Sequence, residues 1–393
     1  MHVAIRCKQL VIALLAVVTT ISTAQPALAL RLEQVSFSNL PGWQRDDHGA
    51  ALRVFARACG ELTTRGVGFS RKAVLSGTRR DWLSVCELAR RADVSPVMAR
   101  RFFEDHLVAL NVTGVDGQFT GYFEPEVEGS RHKDAEFSVP VLGRPEDLVK
   151  LSKSAAARLG VGYGRVASGA ARPYFTRQQI EQGQLSSRNL ELLYLRSWTD
   201  LFFMQIQGSG RVRLREGGNV RLGYAAKTGL PYTSIGKVLI DRNEMTREGM
   251  SMQALRAWLK DNPDQARQVM WENKSYVFFR ELNNHGTATG PVGAQNLPLT
   301  TLRSLAIDRR YWALGVPLWV STTVFAGGHL EPFNRLMVAQ DTGSAIKGPS
   351  RGDVFMGTGY QAGLDAGAMD QAGSLTALVP RALATRLLRK YGR

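Results

Sequence analysis

Residues 340–348 read QDTGSAIKG and residues 350–359 read SRGDVFMGTG. In each, a strand-like apolar run meets an aspartate beside glycines: Asp341 in the first, Asp353 in the second. Asp-Thr-Gly-Ser is the spelling of an aspartic protease, so the fold turns on whether this is half of a protease dyad. Such a dyad needs two aspartates sharing one proton. A single-chain protease would carry a second Asp-Thr/Ser-Gly about half a chain away, and none is present. Gln340 is also polar where a protease strand is apolar. The alternative is an aspartate-lined site of another kind. Glycine lets the backbone turn sharply and approach a ligand closely. A carboxyl held there, desolvated or near a second carboxylate, has a raised pKa and can donate a proton. Turn capping is the competing role for both aspartates.

Outward from this stretch the chain has two textures. HGAALRVFARACGEL (48–62) and TRRDWLSVCELARRA (78–92) place apolar residues at three- and four-residue steps, the helical period. Ser95-Pro96 then opens a third helix. From about residue 117 short apolar or aromatic runs punctuated by glycine read as strands: GQFTGYFEPEVEG, FFMQIQGSGRVRL and NVRLGYAAKTG. In the second of these, QGSG reads as a hairpin or bulge between two strand-like runs. Residues 251–273 are helical with a break at Asn262-Pro263. Strand texture returns in KSYVFFREL, PLWVSTTVF, RLMVAQDTG and GDVFMGTG, and the tail ALATRLLRKYGR reads as a short basic surface helix.

At 393 residues two domains are the first expectation. Lys and Arg outnumber Asp and Glu by 50 to 34. The excess suits an anionic polymer, and simple solubility charge is the bland alternative. The first nine residues carry Arg6 and Lys8 and no acid. The apolar run LVIALLAVVTTI follows, then Ala27-Leu28-Ala29. This is the pattern of a secretory signal peptide over 1–29, with an uncleaved anchor as the alternative. Cys7 precedes the apolar core, so a lipoprotein anchor is not expected. Cys59 and Cys86 remain, candidates for one disulfide in an oxidising compartment, or two buried thiols.

The histidines are scattered, with no Cys-x-x-Cys and no His-Glu-x-x-His, so no metal is expected. Gly208-Ser209-Gly210 is not a nucleophile elbow. Carboxylates are left as the candidate chemistry.

The long blocks TGYFEPEVEGS, FFMQIQGSGRVRL, GYAAKTGLPYTSIGKVLIDRNEM, SMQALRAWL, SYVFFREL, GPVGAQNLPLTTLRSLAIDRRY, RLMVAQDTGSAIKG and GDVFMGTG cover roughly 115–375. Together they resemble the MltA-type lytic murein transglycosylases, and the last blocks resemble a three-aspartate (3D) domain. The resemblance implies a mainly β fold with N-terminal helices. A double-psi β-barrel is built from N- and C-terminal segments, a second β-rich domain is inserted, and a glycan groove runs between them. The expected division is 30–120, 121–270 and 271–393. The implied activity is cleavage of the β-1,4 bond between N-acetylmuramic acid and N-acetylglucosamine, leaving a 1,6-anhydro end, without cofactor. Asp353 falls at the catalytic aspartate. Asp341 and Asp308 fall at the other two, as supports of Asp353 or as clasps of barrel loops. Tyr122, Gln205, Gln207 and Ser209 fall in groove-lining blocks. Glu124 and Glu126 are expected to be structural. Lys227 and Lys237 are expected to meet substrate carboxylates or to lie on a solvated face. The expected partners are peptidoglycan glycan strands and wall-remodelling proteins, with no nucleic acid. A monomeric exported protein, soluble or loosely wall-associated in the periplasm, is expected. A non-catalytic glycan-binding module on the same fold is the competing function.

Overall fold

The computed structural model describes residues 30–64, 66–282, 290–326 and 329–392. The expected signal peptide lies outside the described residues. Strands β1 (Arg31–Val35), β2 (Leu107–Thr113) and β3 (Gln118–Glu124) come first. An excursion follows through β4 (Glu126–Ser130), β5 (Val139–Leu142), β6 (Val149–Lys150), β7 (Tyr163–Ala167), β8 (Ala170–Pro173), β9 (Glu191–Leu195), β10 (Ser209–Leu214), β11 (Asn219–Lys227) and β12 (Val277–Leu282). The chain then returns through β13 (Ser304–Ile307), β14 (Pro317–Ala326), β15 (His329–Asp341), β16 (Arg351–Thr358) and β17 (Asp370–Pro380).

The first sheet runs β1-β2-β17-β14-β15-β13-β16-β3, and β3 pairs again with β17. Its last six strands therefore close into a ring, the double-psi barrel, which leaves no open edge among them. A second sheet, β12-β11-β10-β4-β9-β5, and a small third, β6-β7-β8, belong to the excursion. The barrel core is continuous with the N-terminal helices and holds Trp43, Trp82, Trp312 and Trp319, all fully buried.

The N-terminal helices form where the periodicity puts them, His48–Thr63, Arg79–Ala89 and Pro96–His106. Asp47 caps the first by accepting from the Ala50 N–H at 2.9 Å. Cys59 and Cys86 join the first two in a disulfide. Pro96 opens the third, but the Ser95 side chain makes no cap bond. The two helices expected over 251–273 are Met252–Asp261 and Pro263–Trp271, parted at Asn262. The tail forms the helix Arg381–Tyr391 and docks Leu383, Ala384 and Leu387 on the barrel rather than standing free.

One expected strand is a helix. FFMQIQ lies in the helix Trp198–Gln207. Ser197 caps its start by accepting from Asp200 N–H, and Gly208 ends it with φ +80°. The glycine of QGSG is thus a helix stop, which only glycine adopts cheaply, not part of a hairpin. The helix is wedged between two cores. Leu201 and Met204 pack in one, Phe202 and Phe203 in the other. Apolar residues on both faces erase the 3.6-residue signature.

Candidate active site

The barrel register builds the site. Ala306 on β13 lies opposite Asp341 on one side and Asp353 on the other. Asp353 in turn lies opposite Thr120 on β3. The order Asp341, Ala306, Asp353, Thr120 is a row across four adjacent strands. Residues in one such row point to the same face, and strands lie about 4.8 Å apart, so the two aspartate backbones are about 10 Å apart.

That row opens into a groove of about 280 Å³ between the barrel and the second sheet. The barrel side supplies Gly121, Tyr122, Ala306, Asp341, Asp353 and the loop from Thr342 to Ile346. The other side supplies Arg177, Gln205, Gln207, Lys227, Tyr232 and Asn273. Its lining of amides, an aromatic ring and carboxyls suits a sugar.

The two carboxyls are held differently. Asp341 accepts from the Tyr122 hydroxyl at 3.0 Å, from Thr342 N–H at 2.9 Å and from Ala294 N–H at 3.0 Å. Burial raises its pKa, and these three donors oppose the rise. Asp353 accepts one bond, from Thr120 Oγ1 to its Oδ1 at 2.7 Å. Thr120 Oγ1 in turn accepts from Arg351 Nη2 at 2.7 Å, so a relay runs from the guanidinium to the carboxyl. Burial pushes Asp353 up to about 6; Thr120 and Arg351 restrain it, and the charge of Asp341 adds to the rise. Oδ2 of Asp353 carries no protein hydrogen bond among the described residues. An acid raised to about 6, with one uncommitted oxygen in a groove, can give and take a proton near that pH.

Tyr122 is fixed in this arrangement. Its ring packs against Phe355 with centroids 5.3 Å apart, and its hydroxyl is committed to Asp341. Burial and the two aspartates push its pKa well above the ordinary tyrosine value, so it stays a neutral donor. Gln207 accepts from Phe123 N–H at 3.1 Å and keeps its amide N–H groups for the groove. Gln205 is held at both ends: its Oε1 accepts from Arg177 at 2.5 Å and its Nε2 donates to the Val277 carbonyl at 2.9 Å.

Asp308 is elsewhere. It is buried away from the groove lining and accepts from Arg310 Nε at 2.9 Å, Arg310 N–H at 3.0 Å and Gly348 N–H at 2.9 Å. Burial pushes its carboxyl up, but the Arg310 and Gly348 donors outweigh that and the net shift is downward. It clasps the 308–311 turn to the loop before β16. Ser209 begins β10, buried, and is not among the lining residues. Glu124 is fully buried in an ion pair with Arg221 at 2.8 Å, and Glu126 pairs with Arg211 at 3.4 Å, so neither faces the row of aspartates. Lys237 pairs with Asp241 on an exposed helix.

Arg177 escaped the sequence reading. It is buried, pairs with Glu181 at 3.2 Å, and donates to the carbonyls of Asn273 at 3.1 Å and Ser275 at 2.8 Å. The only local hint is Glu181 four residues on, an i,i+4 pair; its carbonyl partners are 96 and 98 residues away.

Comparison with known proteins agrees with this architecture. The MltA specific insert domain matches residues 118–280 and the 3D domain matches residues 303–379. Membrane-bound lytic murein transglycosylase A of Vibrio cholerae is 35% identical over 258 residues, covering 63% of this chain and 61% of that protein. The chain thus spans less than two thirds of the length of the curated relatives it first matches. The crystal structure of a membrane-bound lytic murein transglycosylase from Agrobacterium tumefaciens superposes with a TM-score of 0.83 at 36% identity, covering 91% of this chain and 99% of that one. Escherichia coli MltA with bound chitohexaose gives 0.63 at 28% identity, covering 85% and 89%. With an insert domain set into a closed barrel that carries the three aspartates, this chain belongs to the MltA family.

Proposed function

We propose that this chain is a peptidoglycan lytic transglycosylase that cleaves the MurNAc-β-1,4-GlcNAc bond and leaves 1,6-anhydroMurNAc ends. The observation that carries the reading is Asp353, raised to about 6 in a groove lined to suit a sugar, with one oxygen uncommitted. The protonated carboxyl donates to the glycosidic oxygen as that bond breaks. The same carboxylate then takes the proton from the C6 hydroxyl as that oxygen closes on C1. Ordinary glycosidases need a second carboxylate to supply a nucleophile or base for water. Here the attacking hydroxyl is tethered to the reacting sugar, and intramolecular attack lowers the entropic part of the barrier. Asp341 supports by its charge, which keeps the Asp353 proton on, and by fixing Tyr122. Tyr122, Gln205 and Gln207 contact sugar, an aromatic face and amides that suit acetamido groups. Asp308 acts through loop geometry, and Ser209 through the start of β10. No cofactor enters, because the reaction is neither redox nor hydrolytic.

The same proposal takes residues 1–29 as a signal peptide and keeps the barrel–insert–barrel division. The boundaries expected at 120 and 270 move, because β3 stays in the barrel to Glu124 and β12 pairs with β11: the insert runs from β4 to β12, 126–282. It places the chain in the periplasm as a monomer on glycan strands, soluble or loosely wall-associated, beside other wall-remodelling proteins. The basic surface supports attraction to an anionic wall. Relatives are named membrane-bound, and no helix among the described residues is long and apolar enough to cross a membrane.

The test is digestion of purified peptidoglycan with mass analysis of the products. The reading expects anhydro muropeptides, lighter by one water than hydrolysis products, and none from Asp353→Asn. Anhydro products that persist in the variant would remove Asp353 from the role. A folded chain that sediments with the wall and releases nothing would favour a binding module.

A further inference from the structure

Lys227 stands apart from the other cation of the groove. It ends β11, half-buried, and its Nζ crosses the groove to donate to Ser344 Oγ on the barrel loop at 2.5 Å. That is a neutral partner. No carboxylate acts on it among the described residues, and the one charge that does is a second cation, Lys347, on the same loop. Arg177, the other cation in the lining, has Glu181. An ammonium has three donors, and Lys227 uses one. Partly desolvating a cation without a counter-ion is unfavourable, so the site is complete only when an anion enters. The barrel wall carries Asp341 and Asp353 and repels an anion. The groove therefore has two electrostatic sides.

We propose that Lys227 forms an anion subsite that binds a carboxylate of the glycan substrate and sets the register in which the strand lies over Asp353. The inference rests on the transglycosylase reading and deepens it. In a strand alternating N-acetylglucosamine and N-acetylmuramic acid, only every second sugar bears a lactyl carboxyl or the peptide stem built on it. A cation that fixes one such group places the glycan in steps of two sugars. One of the two kinds of β-1,4 bond is then presented to Asp353 and the other is held a sugar away. Asp353 alone cannot tell these bonds apart. The carboxylate has two sources, the lactyl group itself or the stem attached to it.

The test is binding by calorimetry of three hexasaccharides to the non-cleaving Asp353→Asn chain as parent, and to that chain carrying Lys227→Met or Lys227→Arg. One is chitohexaose, one has alternating muramic acid with free lactyl carboxylates, and one has those carboxyls amidated by peptide stems. A charge-assisted hydrogen bond predicts roughly tenfold tighter binding of a carboxylate-bearing strand than of chitohexaose. Lys227→Met should abolish that advantage, bringing the three affinities together whatever it does to chitohexaose binding itself, while Lys227→Arg should retain most of it. An advantage confined to the free-lactyl strand assigns the carboxylate to the sugar. One confined to the stem-bearing strand assigns it to the peptide. Parent ratios kept in the chain carrying Lys227→Met overturn the inference. If that occurs while the wild type still makes anhydro ends, the transglycosylase reading stands. A parent that binds no saccharide, with a wild type that makes no anhydro ends, removes both.

Discussion

Replacing Asp353 by Asn should stabilise the protein while abolishing the proposed cleavage. The folded carboxyl is raised from 3.8 to about 6, chiefly by burial. Each pH unit between folded and unfolded pKa values is worth about 1.4 kcal/mol, so ionised Asp353 costs the fold about 3 kcal/mol. The direction follows from which state holds the proton. Below 3.8 both states are protonated and the cost is zero. Between 3.8 and about 6 the unfolded chain ionises while the folded one does not, and stability falls as pH rises. Above about 6 the full cost is present. Asn keeps an oxygen to accept from Thr120 and cannot ionise. Urea unfolding followed by tryptophan fluorescence should therefore show Asp353→Asn more stable by about 3 kcal/mol at pH 7.5 and equal to wild type near pH 3.5. A natively folded variant with no gain at pH 7.5, or a gain that does not change with pH, would refute the claim that burial raises this carboxyl.

Thr120→Val removes the hydrogen bond that holds Asp353 down and cuts the relay from Arg351. The alkaline limb of the pH–activity profile should move to higher pH, and in Asp341→Asn, which removes a repelling charge, it should move to lower pH. Glu124→Gln leaves the buried Arg221 without its counter-ion at the junction of barrel and second sheet, and should cost about 3–5 kcal/mol in denaturant unfolding. Reducing the Cys59–Cys86 link, or replacing either cysteine by Ser, should cost about 2–4 kcal/mol and lower the melting temperature.

What could be read from the sequence divides along physical lines. Strand-end aspartates beside glycine were visible because the chemistry and the turn are local, and both line the groove. The N-terminal helices were visible because each has one wet face. The helix Trp198–Gln207 was hidden because it buries apolar residues on both sides, and Gly208 then looked like a hairpin residue instead of a stop. Asp308 was grouped with the other aspartates by type. Its role depends on Gly348, 40 residues on, which pins it to a loop outside the groove. Arg177 was silent for the same reason, because its carbonyl partners come from the far end of the excursion.

The barrel closes through the pairing of β3 with β16 and β17, and the bond from Thr120 to Asp353 spans 233 positions. That closure is also a clock. A growing chain can make its N-terminal helices and most of the excursion while the aspartate row still lacks three of its four strands. No shorter product ending before β16 has Asp353 at all, and one ending before β17 leaves β3 and β14 unjoined. Long-range pairings of this kind form late and slowly. Competence therefore arrives with the last strand, after nearly the whole polypeptide has been made, and an incomplete copy carries no working carboxyl.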